Sequence, residues 1–162
     1  MIIAHGTHPG ETGKNNEDRY GVTTFESQTD GAVTLAVVAD GIGGHRAGEV
    51  ASELAVQTIT GVVAQSTSND YRAALESAVT RAAQAIAEHA RSGDRFFGMG
   101  TTCAVALVAA GRLYIAYVGD SRIYLIRGGV IRQISVDHTF VQEAIEHGVL
   151  TPDEARQHPQ RH

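Results

Sequence analysis

Val33 to Asp40 has the sequence VTLAVVAD, and Gly41-Ile42-Gly43-Gly44-His45 follows it directly. The run is apolar and rich in β-branched residues, which favours a buried strand that delivers the Asp40 carboxylate to a loop. A carboxylate in such a place is costly unless a cation compensates its charge, and Gly41 lets a backbone carbonyl approach the same cation. Hard divalent cations prefer such oxygen ligands. A glycine-rich turn capped by Asp40 explains the same residues, and His45 is expected to be a cap or a loop contact.

Further strands are predicted on both sides of this segment. Tyr20 to Phe25 is strand-like, and three later runs also favour strands: Thr101 to Ala109, Leu113 to Val118 and Ile123 to Arg127. Ala110-Gly111 and Gly128-Gly129 provide tight turns between strand-like runs. Thr101 to Ser135 is therefore predicted to form an antiparallel meander.

Two amphipathic helices are predicted between the first buried strand and the meander. Their apolar stripes have helical spacing and comprise Val50, Leu54, Ile59 and Val62 in the first helix, and Leu75, Val79, Ala82 and Ile86 in the second. The second helix is expected to begin after Asn69 or Asp70 and to end at Gly93. Both helices should pack flat on a sheet. Near the end of the chain, Thr151-Pro152-Asp153-Glu154 predicts a capping box with proline at the first helical position.

The composition indicates one ordinary globular domain over residues 1–162. A net charge of -5 without a dense Lys/Arg run argues against nucleic acid as a partner. Cys103 is the only cysteine, so an internal disulfide and a cysteine-based zinc cluster are excluded, and its apolar surroundings predict a core position. The N-terminal residues lack a leader pattern and no apolar run is long enough to span a bilayer, so a cytoplasmic location is expected.

Two more acidic clusters accompany Asp40. Asn15-Asn16-Glu17-Asp18 places two carboxylates just before a strand, and neighbouring strand residues point to opposite faces, so only one of the two acids easily faces a common site. Taken alone, such a cluster is more commonly a solvated polar turn. Gly119-Asp120-Ser121-Arg122 places an acid between two predicted strands. Asp120 either belongs to a functional site or serves the geometry of the turn. Ser121 lacks the Gly-x-Ser-x-Gly context of a nucleophile.

Five blocks in order resemble the signatures of one family, the metal-dependent protein serine/threonine phosphatases of the PPM or type 2C kind, in their compact bacterial form. The blocks are NNED from Asn15, DGIGGHRAGEVAS from Asp40, GMGTTCAVAL from Gly98, GDSRIYLIRGG from Gly119, and DHTFVQE followed by GVLTPDEARQHPQRH. The resemblance extends over nearly the whole chain. It implies an α+β fold, an antiparallel β-sandwich flanked by helices in α-β-β-α layers, which is incomplete at the C-terminus of this chain.

The resemblance also implies a site of two to three Mn²⁺ or Mg²⁺ ions. By motif match, Asp40 would bridge two ions, Gly41 would bind one through its carbonyl, and Glu17 or Asp18 would act directly or through water. Asp120 would help to hold a third, weaker ion. Asp40 and Asp18 would thus be the catalytic acids, since a metal-activated water attacks the phosphorus without a protein nucleophile. Residues 137–162 would form a flap-like segment beside the cleft.

Departures from the family pattern limit the expected activity of this chain. The position of the usual phosphate-binding arginine holds Gly13, and the neighbouring Lys14 is the candidate to contact the substrate phosphate. The later blocks that supply two more metal-binding aspartates are not in this sequence. The chain alone is therefore expected to be inactive or weak and to self-associate through exposed sheet edges.

Two functions from different classes follow. The first is hydrolysis of phosphoserine and phosphothreonine in proteins, often opposite a partner serine/threonine kinase, as the resemblance implies. The alternative is a catalytically impaired binding or regulatory module that keeps the fold, which Gly13 and the missing aspartates favour. A nucleotide-binding domain is disfavoured because the sequence has neither a P-loop nor a GxGxxG that follows a strand and opens a helix.

Overall fold

The computed structural model describes residues 1–11, 15–43 and 47–160. Within these ranges the strands are β1 (Asp18–Ser27), β2 (Gly31–Ile42), β3 (Gly100–Thr101), β4 (Cys103–Ala109), β5 (Arg112–Val118), β6 (Tyr124–Arg127) and β7 (Val130–Gln133). The helices are α1 (Ala47–Ala64), α2 (Tyr71–Ala90), α3 (Phe140–Glu146) and α4 (Pro152–Gln157), with a short 3₁₀ turn at Asp94–Phe96. None of the helices in the described ranges is both long and apolar enough to cross a membrane.

The strands form two antiparallel sheets, in agreement with the predicted α+β class. The larger sheet has the order β1-β2-β4-β5, with β3 paired to the end of β2, and the smaller sheet pairs β6 with β7. The prediction of one continuous meander is wrong between β5 and β6. Gly119, at a φ of 95°, turns the chain out of the larger sheet. Ile123 then hydrogen-bonds to Ile134 and Ser135, at the end of β7, instead of to β5.

Helices α1 and α2 cover one face of the larger sheet, as predicted from their apolar stripes. Alternate residues of β2 are buried on this face: Val33, Leu35, Val37 and Ala39. The most deeply buried stripe of α1 consists of Ala51, Ala55, Ile59 and Val63, whereas the predicted Val50, Leu54 and Val62 are only partly buried. Small residues at Ala51 and Ala55 reduce the bulk between helix and sheet, whereas Val50, Leu54 and Val62 lie to the sides of the buried stripe.

The ends of the helices follow local hydrogen bonding. Asp70 caps α2, as one of the two predicted alternatives, because its side chain accepts a hydrogen bond from the Ala73 amide. The predicted end at Gly93 is wrong, because α2 stops at Ala90 and the amide of Arg91 closes its last turn. The capping box at Thr151 and Glu154 is present and begins α4.

The other face of the larger sheet positions the acidic residues. Thr34, Ala36, Val38 and Asp40 alternate with these four helix-facing residues of β2, so they point away from the two helices. Val38 is 50% exposed on this face. Asp40 thus lies at the end of the central strand of the core, with its side chain on the side opposite to α1 and α2.

Candidate metal centre

Asp18 and Asp40 are partners in the antiparallel register of β1 and β2. Directly opposed residues of such a pair lie on the same face, with Cβ atoms about 5 Å apart. Both side chains are exposed. Of the two adjacent acids, it is therefore Asp18 that shares a face with Asp40.

The Asp40 peptide group is held by two threonines. Its amide nitrogen donates to Thr102 Oγ1 at 3.0 Å. Its carbonyl oxygen accepts from the Thr102 amide and from Thr101 Oγ1, both at 2.9 Å. Three hydrogen bonds thus fix the backbone from which the candidate bridging carboxylate projects.

Glu17 lies on the other side of the strand, against the beginning of α1. A Cβ atom built on Gly48 would overlap the Glu17 carboxylate, and one built on Gly41 would overlap the Gly48 carbonyl. The Glu17 carbonyl oxygen accepts from the Gly41 amide at 3.3 Å and from Ser52 Oγ at 2.5 Å. Gly41 therefore has a second reason to be glycine besides ligand approach, because the end of β2 touches the backbone of α1.

Asp120 is joined to the same region through a hydroxyl pair. Ser121 Oγ lies 2.6 Å from Thr102 Oγ1, which also accepts from the Asp40 amide. A Cβ atom on Gly119 would lie 2.7 Å from Thr102 Cγ2, so this turn also packs closely on Thr102. Sequence analysis missed the roles of Thr102 and Gly48, for which the only available signals were a threonine pair inside a strand run and a glycine inside a helical pattern.

The carboxylates interact electrostatically. Partial burial, followed by repulsion from Asp18 and then from Asp120 and Glu17, raises the pKa of Asp40 above its ordinary value. A bound divalent cation relieves this kind of repulsion, and carboxylate and carbonyl oxygens are the donors that Mg²⁺ and Mn²⁺ prefer. The donor chemistry therefore fits these ions. In the described part of the chain, however, no three Asp, Glu, His or Cys side chains converge closely enough to enclose an ion.

Of the remaining residues named from the sequence, Cys103 lies in the described part of the chain, whereas Gly13, Lys14 and His45 do not. Cys103 is buried, as predicted, and burial raises the pKa of its thiol. Gly13, Lys14 and His45 lie outside the described residues, so the predicted phosphate contact of Lys14 stays a prediction.

A family model described as Protein phosphatase 2C matches residues 5–161. The chain belongs to the protein phosphatase 2C family. The resemblance noted from the five sequence blocks is thereby confirmed. The acids brought near Asp40 in this family member, namely Asp18, Asp120 and Glu17, are those that the blocks singled out.

Relatives of this chain include bacterial proteins named as serine/threonine phosphatases. It is 43% identical over 147 residues to the serine/threonine protein phosphatase PstP of Mycobacterium tuberculosis, a match that covers 91% of this chain and 27% of PstP. The structure of the S. agalactiae serine/threonine phosphatase matches with a TM-score of 0.81 and 35% identity, over 93% of this chain and 62% of that one.

A third match, the catalytic domain of PstP in complex with two manganese ions, has a TM-score of 0.69 and 37% identity, over 85% of this chain and 64% of that one. The chain thus spans less than two thirds of each of these three proteins.

The segment after β7 is tied to the Asp120 turn, where the family resemblance places a flap. Arg122 Nε lies 3.0 and 2.9 Å from the two carboxylate oxygens of Asp137, and its terminal nitrogen adds a third contact. The His138 amide donates to the Gly119 carbonyl at 3.0 Å, and the Gly119 amide donates to His138 Nδ1 at 3.3 Å. The first residues of the 137–162 segment are therefore fixed beside the acidic turn.

Proposed function

We propose that the protein carrying this chain hydrolyses phosphoserine and phosphothreonine in other proteins, with Mn²⁺ or Mg²⁺ held around Asp40. Membership of the protein phosphatase 2C family and relatives named serine/threonine phosphatases support this proposal. The observation that carries it is the pairing of Asp18 with Asp40 at the end of the sheet, with Asp120 and Glu17 close enough to raise the pKa of Asp40.

The residues that would hold the ions all offer oxygen. Asp40 would provide the shared carboxylate and Gly41 its carbonyl, while Asp18 and Glu17 would bind directly or through water. Asp120 would contribute to a third, weaker position. The bound ions would supply Lewis acidity, by lowering the pKa of a water molecule and neutralising charge on the phosphoryl group.

The chain's own side chains support hydrolysis by water. The Ser121 hydroxyl is engaged with Thr102, and the Cys103 thiol is buried with a raised pKa, so neither is prepared as a nucleophile. The acids instead lie near the end of β2, where they would orient a water and balance positive charge. We infer that the substrate phosphate binds next to this end of the sheet, with Lys14 as its candidate cationic contact.

The decisive experiment replaces one carboxylate by its amide. Asp40→Asn in the full-length protein should remove most Mn²⁺-dependent hydrolysis of a phosphopeptide, because it removes a shared negative charge. Asp30→Asn is the matched control, since Asp30 lies in the turn at the opposite end of the β1–β2 hairpin and accepts a hydrogen bond from Tyr71 at 2.8 Å. Near wild-type activity of Asp40→Asn at saturating Mn²⁺ would refute the assignment.

One observation favours a second candidate, a module that keeps the family fold but binds phosphoproteins without hydrolysing them. In the ranges that the structure describes, no three acidic, His or Cys side chains enclose an ion. For the same reason we propose that these 162 residues by themselves hydrolyse phosphopeptides weakly or not at all. Hydrolysis of p-nitrophenyl phosphate in Mn²⁺, compared between this chain and the full-length protein, separates the candidates.

A further inference from the structure

We propose that Thr102 is a positioning residue that holds Asp40 and the Asp120 turn in one arrangement. This role rests on the proposed function, because the arrangement matters for the ions that these acids would bind. Thr102 is only 3% exposed, although it lies beside two exposed acids. A buried hydroxyl is costly unless its hydrogen bonds are made, so the contacts of Thr102 identify what it does.

The hydroxyl of Thr102 connects two separate segments. It accepts a hydrogen bond from the Asp40 amide at 3.0 Å and shares a second one with Ser121 Oγ at 2.6 Å. The Thr102 amide also donates to the Asp40 carbonyl at 2.9 Å. Asp40 lies near the end of the central strand, and Ser121 follows Asp120, so one side chain contacts both acid-bearing segments.

Thr102 lies where strand pairing is interrupted. The register of β2 with β4 reaches Val38 and Ala104, and that with β3 resumes at Gly41 and Thr101. Between them, the Asp40 amide is bonded to a side-chain hydroxyl instead of a carbonyl of the neighbouring strand. The hydroxyl therefore replaces a ladder hydrogen bond at the one place where β2 carries the candidate bridging acid.

The methyl group of Thr102 has a separate contact. A Cβ atom on Gly119 would lie 2.7 Å from Thr102 Cγ2, so the methyl group packs on the bare backbone of Gly119. The two branches of the threonine thus contact different partners. Valine would keep the shape and remove the hydrogen bonds, whereas serine would keep the hydroxyl and remove the methyl contact.

Because the hydroxyl and the methyl group of Thr102 have different partners, two substitutions can test them separately. Mn²⁺ binding to the full-length protein would be measured by titration calorimetry, with thermal unfolding and phosphopeptide hydrolysis in parallel. Thr102→Val should weaken Mn²⁺ binding by about tenfold, as loss of a residue that orients metal ligands commonly does. Thr102→Ser should stay within roughly threefold of wild type because the hydroxyl that bonds the Asp40 amide is retained.

Thr34→Val is the matched control. Thr34 is a buried threonine on β2, the strand that carries Asp40, and its Oγ1 lies 3.2 Å from Thr24 Oγ1. It lies six residues before Asp40, about 20 Å along the strand. It undergoes the same chemical change and should leave Mn²⁺ binding unchanged. If Thr102→Val does not fold, Ser121→Ala removes the other partner of the hydroxyl and should weaken Mn²⁺ binding by about threefold.

The outcomes separate this role from the proposed function. Wild-type protein that binds no Mn²⁺ overturns both. If the wild-type protein binds Mn²⁺ and Thr102→Val, or its substitute Ser121→Ala, binds Mn²⁺ with the same affinity, only the positioning role is overturned. Equal losses in Thr102→Val and Thr102→Ser, or an equal loss in Thr34→Val, also overturn it, since they show that packing or general stability matters and the hydroxyl does not.

Discussion

Replacing Gly41 with alanine should separate the end of β2 from the beginning of α1. A Cβ atom at this position would lie 2.8 Å from the Glu17 carbonyl oxygen and closer still to the carbonyl group of Gly48. An ordinary contact between carbon and oxygen is about 3.3 Å or longer, so the first overlap is roughly 0.5 Å and the second is larger. All the obstructing atoms belong to the backbone, so no side chain can rotate away.

The expected loss of stability follows from this overlap. Overpacking a rigid core costs about 1–3 kcal/mol, and a clash between two backbones belongs at the upper end, about 3 kcal/mol. Since each kcal/mol lowers the Tm of a domain of this size by about 2–4 °C, Gly41→Ala should unfold roughly 6–12 °C below wild type. Circular dichroism during heating and urea unfolding would measure both quantities.

A matched glycine in α1 controls for the general effect of alanine. Gly61 lies inside the helix, and a Cβ atom there would meet nothing within 4 Å. Gly61→Ala should therefore stabilise the protein by about 0.5–1 kcal/mol, because alanine loses less backbone entropy in a helix. An unfolding free energy of Gly41→Ala within about 0.5 kcal/mol of wild type, the size of an ordinary surface change, would refute the close approach of strand and helix.

Two further predictions concern the segment after β7. Arg122→Lys keeps the positive charge but loses the planar guanidinium that binds both carboxylate oxygens of Asp137. Hydrogen exchange of the His138 amide, which donates to the Gly119 carbonyl, should therefore accelerate roughly threefold to tenfold when measured by NMR. Unchanged exchange would show that the ion pair does not hold the segment. Hydrogen bonds from the Thr151 amide and hydroxyl hold the pKa of Glu154 below its ordinary value of 4.5. The stability that the ionised Glu154 gives to the start of α4 is therefore fully present above pH 4.5 and is lost as the pH falls through the lowered pKa. Carboxyl-carbon NMR should give a midpoint below 4.5 that rises in Thr151→Ala, and a midpoint at 4.5 in both proteins would contradict the capping contact.

Local pattern was sufficient for much of the fold, and it also singled out the acids near Asp40, whose role in metal binding stays a prediction. The apolar run ending in Asp40 predicted the central strand, since burial on the helix-facing side requires residues of the kind found at Val33, Leu35 and Val37. Asp70 and Thr151 predicted helix starts because the capping contact is made within three residues of the cap. Residue pattern alone did not choose between Glu17 and Asp18, and only the family resemblance named Asp18 as a catalytic acid. The register of β1 and β2 shows that Asp18 shares a face with Asp40.

Contacts between distant segments could not be predicted in this way. The break between β5 and β6 occurs at Gly119, which packs on the distant Thr102, and a glycine before an acid is equally compatible with a turn inside one sheet. Gly48 is ordinary in sequence, and its closeness to Glu17 arises only when α1 folds back onto β2. The threonine that holds the Asp40 peptide is likewise 62 residues away along the chain.

The turn of the β1–β2 hairpin sets the strand register that brings Asp18 opposite Asp40. Ser27 pairs with Gly31 across a three-residue turn, and the same register runs on to Asp18 and Asp40, about 30 Å away. Adding or removing one residue of this turn would shift one strand by one step and move its alternate side chains to the opposite face. A turn that touches none of the acids therefore decides whether they meet, and its length is as much a part of the site as the carboxylates themselves.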